Sequence, residues 1–224
     1  MNLATRTAKA AVAGLLVLGL IVFVPAGTLA YWQGWAFAIV FTVSTNIIGV
    51  YLARNDPALL ERRMKVGPAA ETRPVQKGLI ALAFAGAIAL VIISALDHRF
   101  GWSDVPASIS VLGNALVVLG LLIDLLVFRE NSYGASTIRK MEGQTVISSG
   151  PYALVRHPMY VGVLILVIGA PLALGSYWGL LLLLLNVPIL ALRILDEEKM
   201  LASDLDGYTT YMHRVRYRLV PGLW

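Results

Sequence analysis

Cysteine is absent from the 224 residues, which removes disulfides, thiolate metal sites and a cysteine nucleophile. Histidine is scarce, and His98, His157 and His213 lie far apart in the chain, so no protein metal site is expected. Charged residues make up only 14% of the chain, against 58% hydrophobic. That balance leaves too little polar surface to coat a soluble globule of this size. The ten-residue segments of alternating polarity that a transmembrane barrel needs are missing as well. No fixed-period repeat or low-complexity segment stands out, so residues 1–224 read as one membrane domain. A bilayer is the expected solvent.

What the chain does have is long apolar runs, and about 20 such residues cross roughly 30 Å of hydrocarbon. Four spans are expected, near Ala10–Ala30, Trp35–Ala53, Gly78–Leu96 and Pro106–Phe128. A tight pair follows from Pro158 to Leu195, turning near Gly175 and Ser176. The expected fold is all-α: a polytopic bundle of about six spans with a C-terminal helical hairpin and a cytoplasmic cofactor pocket. Residues 1–128 form its N-terminal part and 129–224 its site-bearing part.

The net charge of +5 and pI near 9.6 come from residues placed by topology rather than for nucleic acid. Of the 18 lysines and arginines, all but Arg99 fall before the first span, between Arg54 and Lys77, between Arg129 and Arg156, or from Arg193 onward. The positive-inside rule then puts both termini and the long polar segments in the cytoplasm, as in an inner or plasma membrane. Tyr31, Trp32 and Trp35 at one outer turn, with Trp102, Tyr177 and Trp178 at the others, suit an aromatic belt. A cleavable signal ending near Thr28 and Ala30 is the alternative for the first span. Its removal would leave five spans and spoil the charge asymmetry, so the span is read as retained.

Polar chemistry is concentrated in the second half. The connection Arg54–Lys77, with Pro57, Pro68 and Pro74, is expected to lie along the headgroups in a topological role. By contrast, Gly150, Pro151 and Tyr152 give a turn signal, followed by Arg156, His157 and Pro158 where a helix re-enters the membrane. Pro158 suits the first helical position. Free amides and partial positive charge at such an end would hold an anion. The same residues equally suit an interfacial anchor.

Asp196, Glu197 and Glu198 close the last span, where a helix end disfavours negative charge. Either the helix continues, or these acids have partners, or they form a solvated face. The tail then brings Tyr208, Tyr211, His213, Arg214, Arg216, Tyr217 and Arg218 before Pro221 and Trp224, which suits a surface flap or a lid. Inside the spans, Asp124 is the one buried-looking acid, a functional candidate that could also snorkel toward Arg129. Asn186 and Pro188 either kink the last span or pack against a neighbour.

Taken in order, Gly150-Pro151-Tyr152, then Arg156-His157-Pro158 with Tyr160 and Gly162, then Glu197-Glu198 with Leu201 resemble the GPY, RHPxYxG and EExxL signature of the isoprenylcysteine carboxyl methyltransferases and related phospholipid methyltransferases. The resemblance runs over roughly 129–224, and it implies S-adenosylmethionine as cofactor. It places Tyr152, Arg156, His157, Pro158, Tyr160, Gly162, Glu197, Glu198 and Leu201 at the cofactor pocket. Tyr208, Tyr211 and Arg214 are implied as lid residues, and Asn131 as facing the acceptor. Gln144 departs from the pattern, standing where the eukaryotic enzymes often have His, and the tail ends soon after Pro221.

Methyl transfer from an activated sulfonium is an in-line displacement that asks for alignment and charge management rather than a nucleophilic side chain. A lipophilic acceptor is implied, with carboxylate O-methylation as the leading expectation and Arg193 or Arg214 as the cation that orients it. Prenylated cysteine, a phospholipid amine and an isoprenoid acid all remain open. The competing readings are a sterol-reductase-like enzyme using NADPH and a non-catalytic scaffold or transporter. A transporter would show internal symmetry or paired broken helices, and neither is seen.

Overall fold

In the computed structural model, which describes residues 3–134 and 143–224, the chain is helical, with no strand among the described residues. Arg139 and Lys140, counted above for topology, lie outside the described residues. The helices are α1 (Leu3–Ala26), α2 (Trp32–Asn55), α3 (Pro57–Arg63), α4 (Pro74–Phe100), α5 (Ala107–Glu130), α6 (Pro158–Ala173), α7 (Leu183–Asp204) and α8 (Tyr208–Arg214). Prolines start three of them, Pro57, Pro74 and Pro158 each standing in the first turn. A missing N–H costs nothing there.

Five helices are long and apolar enough to cross a bilayer: α1, α2, α4, α5 and the run Trp178–Asp204 that contains α7. The chain is a multi-pass membrane protein. The sixth expected crossing, α6, has only 16 residues, about 24 Å of helix at 1.5 Å per residue. A turn at Leu174–Tyr177 joins it to α7, so the chain reverses where expected, near Gly175 and Ser176, but α6 packs mainly against α5 and only lightly against α7 rather than forming a tight pair with it. The bundle's outer faces carry exposed Leu, Val and Ile along the spans, the surface a hydrocarbon solvent calls for.

The closest helix contact is between α5 and α6, and glycine makes it possible. A Cβ on Gly162 would lie 2.5 Å from Asp124 Oδ1 and 2.7 Å from the Gly120 carbonyl oxygen, while one on Gly120 would lie 2.5 Å from the Gly162 carbonyl oxygen. In a bilayer, where apolar burial does not drive helices together, such close backbone approach supplies the packing energy. Asp124 therefore faces α6. No ion pair to Arg129 forms among the described residues, and Arg63 of α3 is the charge that acts on it.

At the far end of the bundle, buried Asp97 accepts hydrogen bonds from the Ser103 amide at 2.7 Å, the Ser103 hydroxyl at 2.7 Å and the Ser176 hydroxyl at 2.5 Å. Tyr31, assigned above to the aromatic belt, is instead fully buried. It stacks on His98 at 3.9 Å and donates to the Leu174 carbonyl at 2.5 Å. Trp32, Trp35, Trp102, Tyr177 and Trp178 are exposed as expected. Asn186 packs against Gly86 of α4, the helix-packing alternative.

Candidate functional site

Opposite the Asp97 end, the segment after α5, the start of α6, the end of α7 and α8 line one open-mouthed cavity. Its formation follows from local sequence. At Gly150 the backbone takes φ +55°, a left-handed value that glycine tolerates. This turns the chain against Glu130, which accepts from the Ser149 hydroxyl. Pro151 then starts a short 3-10 turn at Gly150–Ala153, which sets Tyr152 into the wall.

The wall contains Tyr152, Arg156, His157, Pro158, Tyr160, Glu197, Leu201, Tyr208 and Tyr211 from the expected cofactor set, and Asn131 and Arg193 from the expected acceptor set. The remaining three expected residues lie elsewhere. Gly162 is at the α5–α6 contact, Glu198 lies behind the wall, and Arg214 reaches toward the Ser148 carbonyl at 3.5 Å. Sequence reasoning did not single out Met159, Met200, Thr145, Val146 or Ile147, which also line the cavity. Four of the five are apolar, and apolar side chains, like a single threonine, carry no signal of their own in a membrane chain.

The Arg156 guanidinium, read above as a holder for an anion, is largely engaged by the protein itself. Its Nε donates to Glu198 at 2.7 Å, and its Nη1 donates to the carbonyls of Val215 and Arg216 at 3.0 and 2.9 Å. The amides of Arg156 and His157 are also engaged, donating to the carbonyls of Tyr217 and Arg218. Both side chains are buried, which rules out the headgroup-anchor reading. The α6 start is thus stitched to the C-terminal segment, and Glu198 is the knot, accepting from Arg218 at 2.8 Å as well.

The acidic cluster is no solvated face. α7 continues through it to Asp204, and each acid has partners. Glu197 accepts from the Tyr160 hydroxyl at 2.8 Å, and Asp196 accepts from Arg73 at 2.9 Å and Gln76 at 2.5 Å. Arg193, one turn earlier, donates to the Tyr160 hydroxyl at 3.1 Å, to Gln76 at 3.0 Å and to Glu71 at 3.0 Å. The connection between α2 and α4 therefore does more than follow the headgroups. It also holds the cavity's other side, Arg62 donating to the Ser132 carbonyl and Arg63 to that of Gly134.

α8 forms the cavity's cover. Leu205, Tyr208, Tyr211 and Val215 pack together with Val146, Tyr152 and Leu201, and Tyr211 donates to the Tyr152 carbonyl at 2.7 Å. Tyr152 is itself fixed by Asn131, whose amide donates to its hydroxyl at 2.7 Å. Burial pushes the Tyr211 hydroxyl up to about 12 and pushes Tyr152 and Tyr208 well above the usual phenol value. All three are neutral donors at physiological pH. The Tyr208 hydroxyl is buried on the cavity wall with no partner among the described residues. A buried orphan donor costs about 1–3 kcal/mol, a cost that a ligand acceptor in the cavity would remove.

The sequence model of the phospholipid methyltransferase family matches residues 108–205. That stretch bears the family's pattern. It contains all of α5 but its first residue, the cavity's motif residues from Tyr152 to Leu201, and the whole of α7, and it bears out the resemblance read from the three motifs. The match supports a membrane methyltransferase. Glu71, Gln76, Tyr208 and Tyr211 lie outside it. No curated protein matches the chain.

Proposed function

We propose that this protein is an S-adenosylmethionine-dependent methyltransferase acting on a lipophilic acceptor drawn from the bilayer. The observation that supports it is the convergence of all three motifs on one cavity: Tyr152, His157 with Tyr160, and Glu197 with Leu201 share its wall. The residues present suit the cofactor's chemistry. Tyr208 supplies a donor without a partner among the described residues, Glu197 a carboxylate acceptor for hydroxyl or ammonium groups, and Met200, Leu201 and Leu205 an apolar face for a base. Bound there, the cofactor would supply an activated methyl group. The chain's own task is to align the acceptor and keep water out. The charge asymmetry along the chain supports a cytoplasmic mouth for the cavity.

A carboxylate acceptor, the first expectation, needs a cation on the wall. Arg193 provides one, and it is already paired with Glu71. An amine acceptor is the second reading, favoured by Glu197, which is positioned to take the proton that a methylated amine must shed. The test is transfer of labelled methyl groups to defined lipids by the purified protein in detergent. Label released by mild base marks a methyl ester and label resistant to base marks an N-methyl group. Oxidation of NADPH without methyl transfer would instead support the reductase reading, and no turnover of either kind would leave a scaffold.

A further inference from the structure

We propose that Glu71 is a positioning residue for this site, supplied by the connection between α2 and α4 from outside the family-matched stretch. The inference rests on the proposed methyltransferase reading. Its role is to hold Arg193 away from Glu197 and so keep that carboxylate open to a ligand.

Arg193 and Glu197 are four residues apart on α7, the spacing at which oppositely charged side chains on a helix meet and pair. Left to themselves in a buried setting, they would do so, because an unpaired buried charge is costly. They do not pair here. Arg193 Nη2 meets Glu71 at 3.0 Å, with the two side chains 7% and 1% exposed, and its Nη1 donates to fully buried Gln76 at 3.0 Å. Its Nε donates to the Tyr160 oxygen at 3.1 Å. A guanidinium can only donate, so the Tyr160 oxygen accepts there and its single O–H points to Glu197 at 2.8 Å. Glu71, with Gln76, thus holds the guanidinium whose donor-only character sets the sense of the chain Glu71–Arg193–Tyr160–Glu197. Glu197 receives one neutral hydroxyl in place of a cation, and it stays on the cavity wall as an acceptor.

The connection that bears Glu71 is held independently. Arg73 and Gln76 both bind Asp196, so replacing Glu71 does not release the segment. Glu71→Gln keeps an oxygen acceptor for Arg193 while removing the counter-charge, and Glu71→Ala removes both.

The experiment is calorimetric titration of the purified full-length protein with S-adenosylhomocysteine, comparing wild type, E71Q, E71A, R193Q and the double variant E71A/R193Q. If Glu71 acts through Arg193, E71A weakens binding about tenfold and E71Q less. In the R193Q background, E71A then changes affinity by under about twofold, because coupled residues are not additive. Equal affinity for wild type and E71A, or additive losses in the double variant, would overturn the inference and leave the methyltransferase reading standing. Failure of the wild type to bind would overturn that reading and this inference with it.

Discussion

Glu198 meets Arg156 at 2.7 Å with both side chains 6% exposed, a buried charge pair whose arginine lines the cavity and whose carboxylate lies behind its wall. Its second oxygen accepts from Arg218 at 2.8 Å, and His157 Nε2 lies 3.2 Å from the first. One carboxylate of the α7 motif therefore holds the α6 motif and the C-terminal segment together. Glu197 beside it faces the cavity, so adjacent acids divide the work between holding the fold and presenting an acceptor.

Glu198→Ala leaves Arg156 buried without its counter-charge, and breaking a buried pair from one side costs about 3–5 kcal/mol. Thermal unfolding in detergent should show a large loss of stability. The segment after Val215 should become the first site of proteolysis. A variant as stable as wild type, with the same cleavage pattern, contradicts the assignment.

Gly162→Ala tests whether this motif glycine serves packing or a ligand. Its added methyl meets Asp124 and the Gly120 carbonyl, and such overpacking costs about 1–3 kcal/mol. The expected result is lower thermal stability, with little change in S-adenosylhomocysteine affinity of the folded fraction. Lost affinity at unchanged stability would instead place the glycine at the ligand.

The α8 cover should be sensitive to alkali. Tyr211 is held up to about 12 mainly by burial, above the ordinary phenol value of about 10. A raised acid favours its protonated form in the fold, so its contribution is complete below about pH 10. It is lost as pH rises through about 12. Tyrosinate absorbance should lag that of exposed tyrosine, and α8 should become open to protease over the same interval. Tyr211→Phe removes the 2.7 Å bond to the Tyr152 carbonyl, a loss of about 0.5–1.5 kcal/mol, together with this tyrosine's share of the lag. Titration of all tyrosines at the ordinary value contradicts the buried cover.

Membrane class, the C-terminal hairpin and the motif residues of the cavity were legible in the sequence. Apolar length and turn chemistry are local signals, and the motifs bring their own spacing. What was not legible depended on distant partners. Nothing in the run from Arg54 to Lys77 indicates that Glu71 will meet Arg193 or that Gln76 will meet Asp196, over a hundred residues away. Arg156 looked like an anion ligand because its neighbours describe a helix start. Only the fold shows Glu198 and the carbonyls of Val215 and Arg216 taking its guanidinium. Tyr31 looked like a belt residue beside Trp32 and Trp35, and its burial on His98 comes from α4 packing beneath it.

The most direct test of the central claim is calorimetric titration of the detergent-purified protein with S-adenosylmethionine and S-adenosylhomocysteine. His157→Ala and Glu197→Ala variants serve as site controls and NADPH as the rival ligand. We predict saturable binding of both sulfur ligands to wild type, loss of that binding in both variants, and no heat with NADPH. Binding of NADPH alone, or of none of the three, would contradict the account.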